Sequence, residues 1–86
     1  TITLRLVYLA RLRDALGTSG EALTVSAEAP TVQTLLALLR ARGGAWALEL
    51  APGRAVRVAR NHDLVANDAP LRDGDEVALL PPVTGG

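Results

Sequence analysis

Apolar residues at Ile2, Leu4, Leu6 and Tyr8 alternate with Thr3, Arg5 and Val7, the two-residue period of a strand, and predict one from Ile2 to Ala10. Arg11 to Leu16 predicts a short helix stopped by Gly17, where a left-handed backbone costs least, with Thr18 to Gly20 as turn material. Leu23, Val25 and Ala27 alternate with Thr24 and Ser26, a second strand expected to pair antiparallel with the first. Val32, Leu35, Leu36 and Leu39 then recur at the spacing of one helix face. Pro30 with Thr31 as N-cap opens this main helix, and Arg40, Arg42 and Gly43 close it. Ala45 to Leu50 predicts a short helical turn that Pro52 and Gly53 end.

The remainder predicts short strands. Val56 and Val58 mark a third, Asn61 to Asp63 a turn, and Leu64 with Val65 a fourth. Asn67 to Pro70 and Asp73 with Gly74 are turns, and Glu76 to Leu80 is a last strand. The order ββαβββ, with one main helix to cover one face of a mixed sheet, is that of an α+β roll of the ubiquitin-like β-grasp type. In that layout the first and last strands are central, parallel neighbours, which accounts for the nearly uniform apolar run Val77 to Leu80. The expected organisation is one domain over residues 1–80 and an extended tail over 81–86.

Composition narrows the class. Eighty-six residues fit one small domain; 49% hydrophobic residues supply a core, and 21% charged residues argue against disorder. Nine basic residues balance nine acidic ones, so bulk charge marks neither a nucleic-acid nor an anionic-membrane surface. Every basic residue is arginine, so no chain of linked copies can grow through its own lysines. With no cysteine there is no disulfide, no thiolate metal site and no side-chain persulfide. No apolar run approaches the roughly 20 residues that span a bilayer, and the segment TITLRLVYLA lacks the features of a signal peptide, so a cytoplasmic protein is expected.

The chemistry concentrates in the tail, PPVTGG. A proline pair leading into residues without side chains packs poorly in a core but makes a stiff stalk with a narrow tip. Six residues reach at most roughly 20 Å, far enough to enter another protein's cleft. The only reactive group at the tip is the Gly86 carboxylate, which is ionised at neutral pH and inert until activated. Adenylation is the usual activation; displacement of AMP by sulfur then gives a thiocarboxylate, and displacement by a lysine amine gives an isopeptide bond. Glycine lets both partners approach the carbonyl from any side.

The run DGDEVALLPPVTGG, Asp73 to Gly86, resembles the signature of the small subunit of molybdopterin synthase, the MoaD family of ubiquitin-like sulfur carriers. YLARLRDALG from Tyr8, PTVQTLLALLR from Pro30, WALEL from Trp46 and RNHDLV from Arg60 match in the family's order and extend the resemblance over nearly the whole chain. The resemblance implies that Gly86 is adenylated with ATP by a partner resembling ubiquitin-activating enzymes, and then carries sulfur as a thiocarboxylate. It implies that Gly85 permits insertion, that Thr84 and Val83 contact the channel of the synthase's large subunit, and that Pro82 and Pro81 stiffen the exit. The sulfur would go to cyclic pyranopterin monophosphate to form the molybdopterin dithiolene, with this chain as sulfur-donating subunit in a heterotetramer, holding no cofactor and no autonomous active site. The family's docking patch falls on Leu9, Leu64 and Leu80, aliphatic where relatives are often aromatic, and Arg11 is placed to meet partner acids at the rim or simply to be solvated.

Other readings use the same tip. They are a thiocarboxylate carrier for thiamin or cysteine synthesis, a ubiquitin-like protein modifier, and a plain domain with an incidental tail. His62, the sole histidine, is expected to be a solvated turn residue, and Trp46 a packing residue. Asp73, Asp75 and Glu76 offer too few ligands for a metal, and none is assigned.

Overall fold

A computed structural model describes residues 1–81 of the chain. The elements are β1 (Ile2–Tyr8), α1 (Ala10–Leu16), β2 (Gly20–Val25), α2 (Val32–Arg40), α3 (Gly44–Glu49), β3 (Arg57–Arg60), β4 (Asp63–Val65) and β5 (Glu76–Leu80). The strands form one mixed sheet in the order β2-β1-β5-β3-β4. At its centre β1 runs parallel to β5, from Arg5 opposite Glu76 to Tyr8 opposite Leu79, as the apolar last strand predicts. β1 is antiparallel to β2, and β3 antiparallel to both β4 and β5.

All three helices lie on one face. Leu4, Leu6, Tyr8, Val25, Val58, Val77 and Leu79 point inward from the sheet and meet Leu12, Val32, Leu35, Leu36, Leu39, Leu50 and Leu71 in one buried cluster. The four residues of the predicted α2 stripe are its four buried positions. Thr31 caps that helix, its hydroxyl accepting from the Thr34 N–H while the Thr34 hydroxyl accepts from the Thr31 N–H, a reciprocal capping box.

Local boundaries differ from the periodicity for identifiable reasons. β1 stops at Tyr8 rather than Ala10 because Ala10 has φ 51°, which turns the chain into α1; the Leu9 N–H still reaches the Leu79 carbonyl at 3.1 Å. β2 ends at Val25, opposite Ile2, because β1 offers no partner beyond it. It also begins early, at Gly20, where a Cβ would lie 2.4 Å from the Leu6 carbonyl oxygen, so only glycine fits. The β3–β4 turn is the pair Asn61–His62, with φ of 50° and 77°, as a two-residue hairpin of the mirror-image type requires.

A polar network fastens the helices to the first hairpin. The Tyr8 hydroxyl donates to Glu21 Oε2 at 2.7 Å, and Arg42 donates to both Glu21 carboxylate oxygens at 2.8 Å. The Arg42 guanidinium lies 4.4 Å from the centre of the Trp46 ring, which meets the Tyr8 ring edge-on at 5.3 Å, so Trp46 is the packing residue expected. The Arg42 hydrogen bonds hold Glu21 below its usual range against a counter-effect of burial. Burial first, then the Glu21 carboxylate, pushes the Tyr8 phenol well above its ordinary value.

These shifts fix the pH dependence of stability. Folding lowers the Glu21 pKa, so its contribution is complete above the ordinary carboxylate value and is lost as pH falls through the depressed one. Folding raises the Tyr8 pKa, so that contribution is intact below the ordinary phenol value and lost as pH rises past it. Denaturant midpoints measured against pH are expected to fall at both ends. Glu21→Gln should cost about 1–2 kcal/mol at neutral pH and flatten the acid limb; an acid limb identical to wild type would contradict this assignment.

Candidate functional site

The helices cover only one face of the sheet, and the registers define what the other face presents. Because Leu4, Leu6 and Tyr8 point inward, Arg5 and Val7 point outward; by the same alternation Glu76, Ala78 and Leu80 of β5 and Arg57 and Ala59 of β3 share the outer face. Val7 stands opposite Ala78, Ala78 opposite Ala59, and Ala59 opposite Leu64. An apolar row therefore crosses four strands with no element over it. Leu64, at the end of this row, is 57% exposed.

Of the three leucines assigned to docking, Leu9 and Leu80 fall where β1 and β5 finish, and Leu64 at the β4 edge of this face. Leu80 closes β5 on the outer side, Leu64 ends the row, and Leu9 extends β1 with an extended backbone at 37% exposure. Leu80 is followed by Pro81, the first tail residue, so the chain leaves the fold at the edge of the apolar face. The roles expected of Pro82, Val83, Thr84, Gly85 and Gly86 lie outside the described residues. Val7, Ala59, Ala78 and Arg57 belong to the same face but were not singled out in the sequence; the signal was there in Val7, an apolar residue on the polar phase of β1.

Arg11 is more than half exposed, in keeping with the solvated reading, and also has a partner within the chain. It donates from Nη1 to Glu49 Oε1 at 2.6 Å and from Nη2 to Glu49 Oε2 at 3.2 Å, a forked pair joining α1 to the end of α3. The Glu49 side chain is 8% exposed and the Arg11 side chain 57%. Arg11 is thus already engaged within the chain, where it compensates a buried carboxylate.

At the opposite end of β5, Asn61 stitches the β3–β4 turn to the strand's start. Its side chain donates to Asp75 Oδ1 at 3.0 Å and accepts from the Glu76 N–H at 2.9 Å. Burial raises the Asp75 pKa, but the bonds from Asn61 and the Arg72 N–H outweigh it and hold the carboxyl below its usual range. His62 is an exposed turn residue as expected, its Nε2 3.7 Å from Glu76 Oε2. Among the described residues no group of three or more histidine, aspartate or glutamate side chains is arranged to hold a metal, and no helix is long and apolar enough to cross a membrane.

A mixed sheet with β1 and β5 at its centre, helices on one side and a chain end leaving from the last central strand defines the ubiquitin-like class. The ThiS family model matches residues 6–86, and the chain belongs to that family. It is 43% identical over 83 residues to the molybdopterin synthase sulfur carrier subunit of Escherichia coli, covering 96% of this chain and 99% of that one. Its fold is similar to subunits in the protein–protein complex of subunits 1 and 2 of molybdopterin-converting factor from Helicobacter pylori, with a TM-score of 0.67, 26% identity, and coverage of 99% of this chain and 100% of that one. It is also similar to the small archaeal modifier protein SAMP1 of Haloferax volcanii, with a TM-score of 0.75, 28% identity, and coverage of 98% and 99%. The resemblance carried by the sequence motifs is borne out along the whole chain.

Arg11→Ala would strand Glu49 and is expected to cost about 1–3 kcal/mol in chemical denaturation, tempered by the exposure of the pair. Glu49→Gln in the same chain should recover part of that loss. Wild-type stability of the single variant would contradict the structural role.

Proposed function

We propose that this chain is the sulfur carrier subunit of a molybdopterin synthase, with Gly86 as the atom-carrying residue. The observation that supports it most is the 43% identity, over essentially the full length, to a curated carrier of that name. The terminal run PPVTGG fits the chemistry such a carrier needs. The ubiquitin-like fold is shared with an archaeal modifier protein, so the fold by itself separates carrier from modifier less well than the sequence does.

In this reading a Gly86 carboxylate oxygen attacks the α-phosphorus of ATP on an adenylating partner, and pyrophosphate leaves. A sulfur nucleophile then attacks the acyl carbon and AMP departs, leaving sulfur on Gly86. The chain contributes position rather than catalysis. Its tail follows Leu80 on the border of the bare face, so a large subunit that covers Leu9, Leu64 and Leu80 would have the tip delivered within the reach of a six-residue stalk, roughly 20 Å. Binding on the face and insertion of the tail become one event, which lowers the entropic cost of delivering the tip. Cytoplasmic placement, where ATP and the activating partner would be met, belongs to the same reading.

The test is intact-mass analysis after incubation with the activating enzyme, ATP and a sulfur source. The expected result is exchange of one oxygen for sulfur, mapped to Gly86. Deleting Gly86 should abolish that exchange and sulfur transfer while shifting stability by no more than a few tenths of a kcal/mol. Failure of exchange in the wild-type chain, or its persistence without Gly86, would overturn the proposal; linkage of Gly86 to the lysines of many proteins in cell extracts would favour the modifier reading instead.

A further inference from the structure

Among the described strand residues, Arg57 is the charged one at the end of the outer face where β5 finishes. It opens β3 opposite Leu80, so its side chain stands beside the last residue before the tail. Its other neighbours on that face are Ala59 along the strand, Ala78 diagonally across, and Leu64 beyond. Val56, Arg57, Val58, Leu64 and Val65 line a shallow hollow of about 290 Å³. Among the described residues Arg57 has no carboxylate within ion-pair distance: the pairs run Arg11–Glu49, Arg13–Asp14, Arg42–Glu21 and His62–Glu76. Arg40 and Arg60 are occupied by the carbonyls of Leu50 and Pro70, while Arg57 donates no side-chain bond to the described residues.

A protein that buries Leu80 and Leu64 brings its surface against the Arg57 side chain, and any part of the guanidinium it takes out of water without a partner is unfavourable. Apolar contact across Val7, Ala78, Ala59 and Leu64 is non-directional and would tolerate several registers of docking. A single charge at the edge of such a patch tolerates far fewer, because only one placement brings it to an opposite charge. We propose that Arg57 is a specificity-determining docking residue, and that the large subunit covering this face presents a carboxylate to it beside the entrance that receives the tail. The inference rests on the proposed carrier function and adds the chemistry of the partner surface. Arginine supports a forked pair with a carboxylate, which fixes orientation as well as position.

The test is equilibrium and kinetic binding of purified large subunit to the full chain at low and high salt, for wild type, Arg57→Glu, Arg57→Gln and Arg57→Lys. Arg57→Glu is expected to weaken binding by about tenfold or more, and Arg57→Gln to weaken it less while reducing its salt dependence. Arg57→Lys should recover most of the affinity. Thermal midpoints should match wild type in all three, since Arg57 is exposed and unpaired among the described residues. If Arg57→Glu and Arg57→Gln bind like wild type with the same salt dependence, the inference is wrong and the carrier function stands. If wild type itself does not bind the large subunit, the carrier function fails and the inference falls with it.

Discussion

The parallel pairing of β1 with β5, Arg5 to Tyr8 against Glu76 to Leu79, governs the whole molecule. Two parallel neighbours cannot be joined by a tight turn, so the chain between them must cross over the sheet. Here that crossing carries α1, α2 and α3 over the same face, where they bury the inward residues of β1, β3 and β5. The consequence is a layer of helices on one side and none on the other. The same pairing makes β1 and β5 finish side by side, so Leu9 and Leu80 lie together and the chain's end departs where the uncovered face begins. The point where the chain leaves β5 and the exposure of the apolar row are thus two results of one topological constraint.

Holding the crossover in place falls to a few polar contacts. Tyr8, Glu21, Arg42 and Trp46 tie the first hairpin to the α2–α3 junction, and Arg11 with Glu49 ties α1 to α3. Each supplies a partner for a group that would otherwise be costly to bury, and no buried side-chain nitrogen or oxygen among the described residues lacks a hydrogen bond. Both networks sit on the helical side or at its edge. The outer face is thereby left with the row Val7, Ala78, Ala59 and Leu64 uncovered between Arg5 with Glu76 at one end and Arg57 at the other, a surface suited to burial by another protein.

Much of this architecture is legible in the sequence because it rests on short periods. The α2 stripe, the Thr31 cap, the first hairpin and the parallel first and last strands all follow from residues a few positions apart or from the apolar run at Val77 to Leu80. What is not legible depends on distant partners. Nothing local marks Glu21, yet its place opposite Leu6 turns it toward Tyr8 and Arg42. Glu49 lies in the apolar-looking WALEL, and nothing local reveals that Arg11, 38 positions earlier, meets it. Ala10 ends β1 through a positive φ that alanine rarely adopts, so no propensity signals it. The leucines of the face were named from family resemblance; that they are joined by Val7, Ala78 and Ala59 into one row follows only from the registers.

The fold therefore presents a bare face, and the chain passes Leu80 and Pro81 at its edge. The sharpest test is a single-turnover reaction of the thiocarboxylated chain with the large subunit and cyclic pyranopterin monophosphate, without ATP or any other sulfur source. The account predicts dithiolene formation matched to the return of a carboxylate at Gly86. Product without loss of sulfur from Gly86, or loss of sulfur without product, would contradict it.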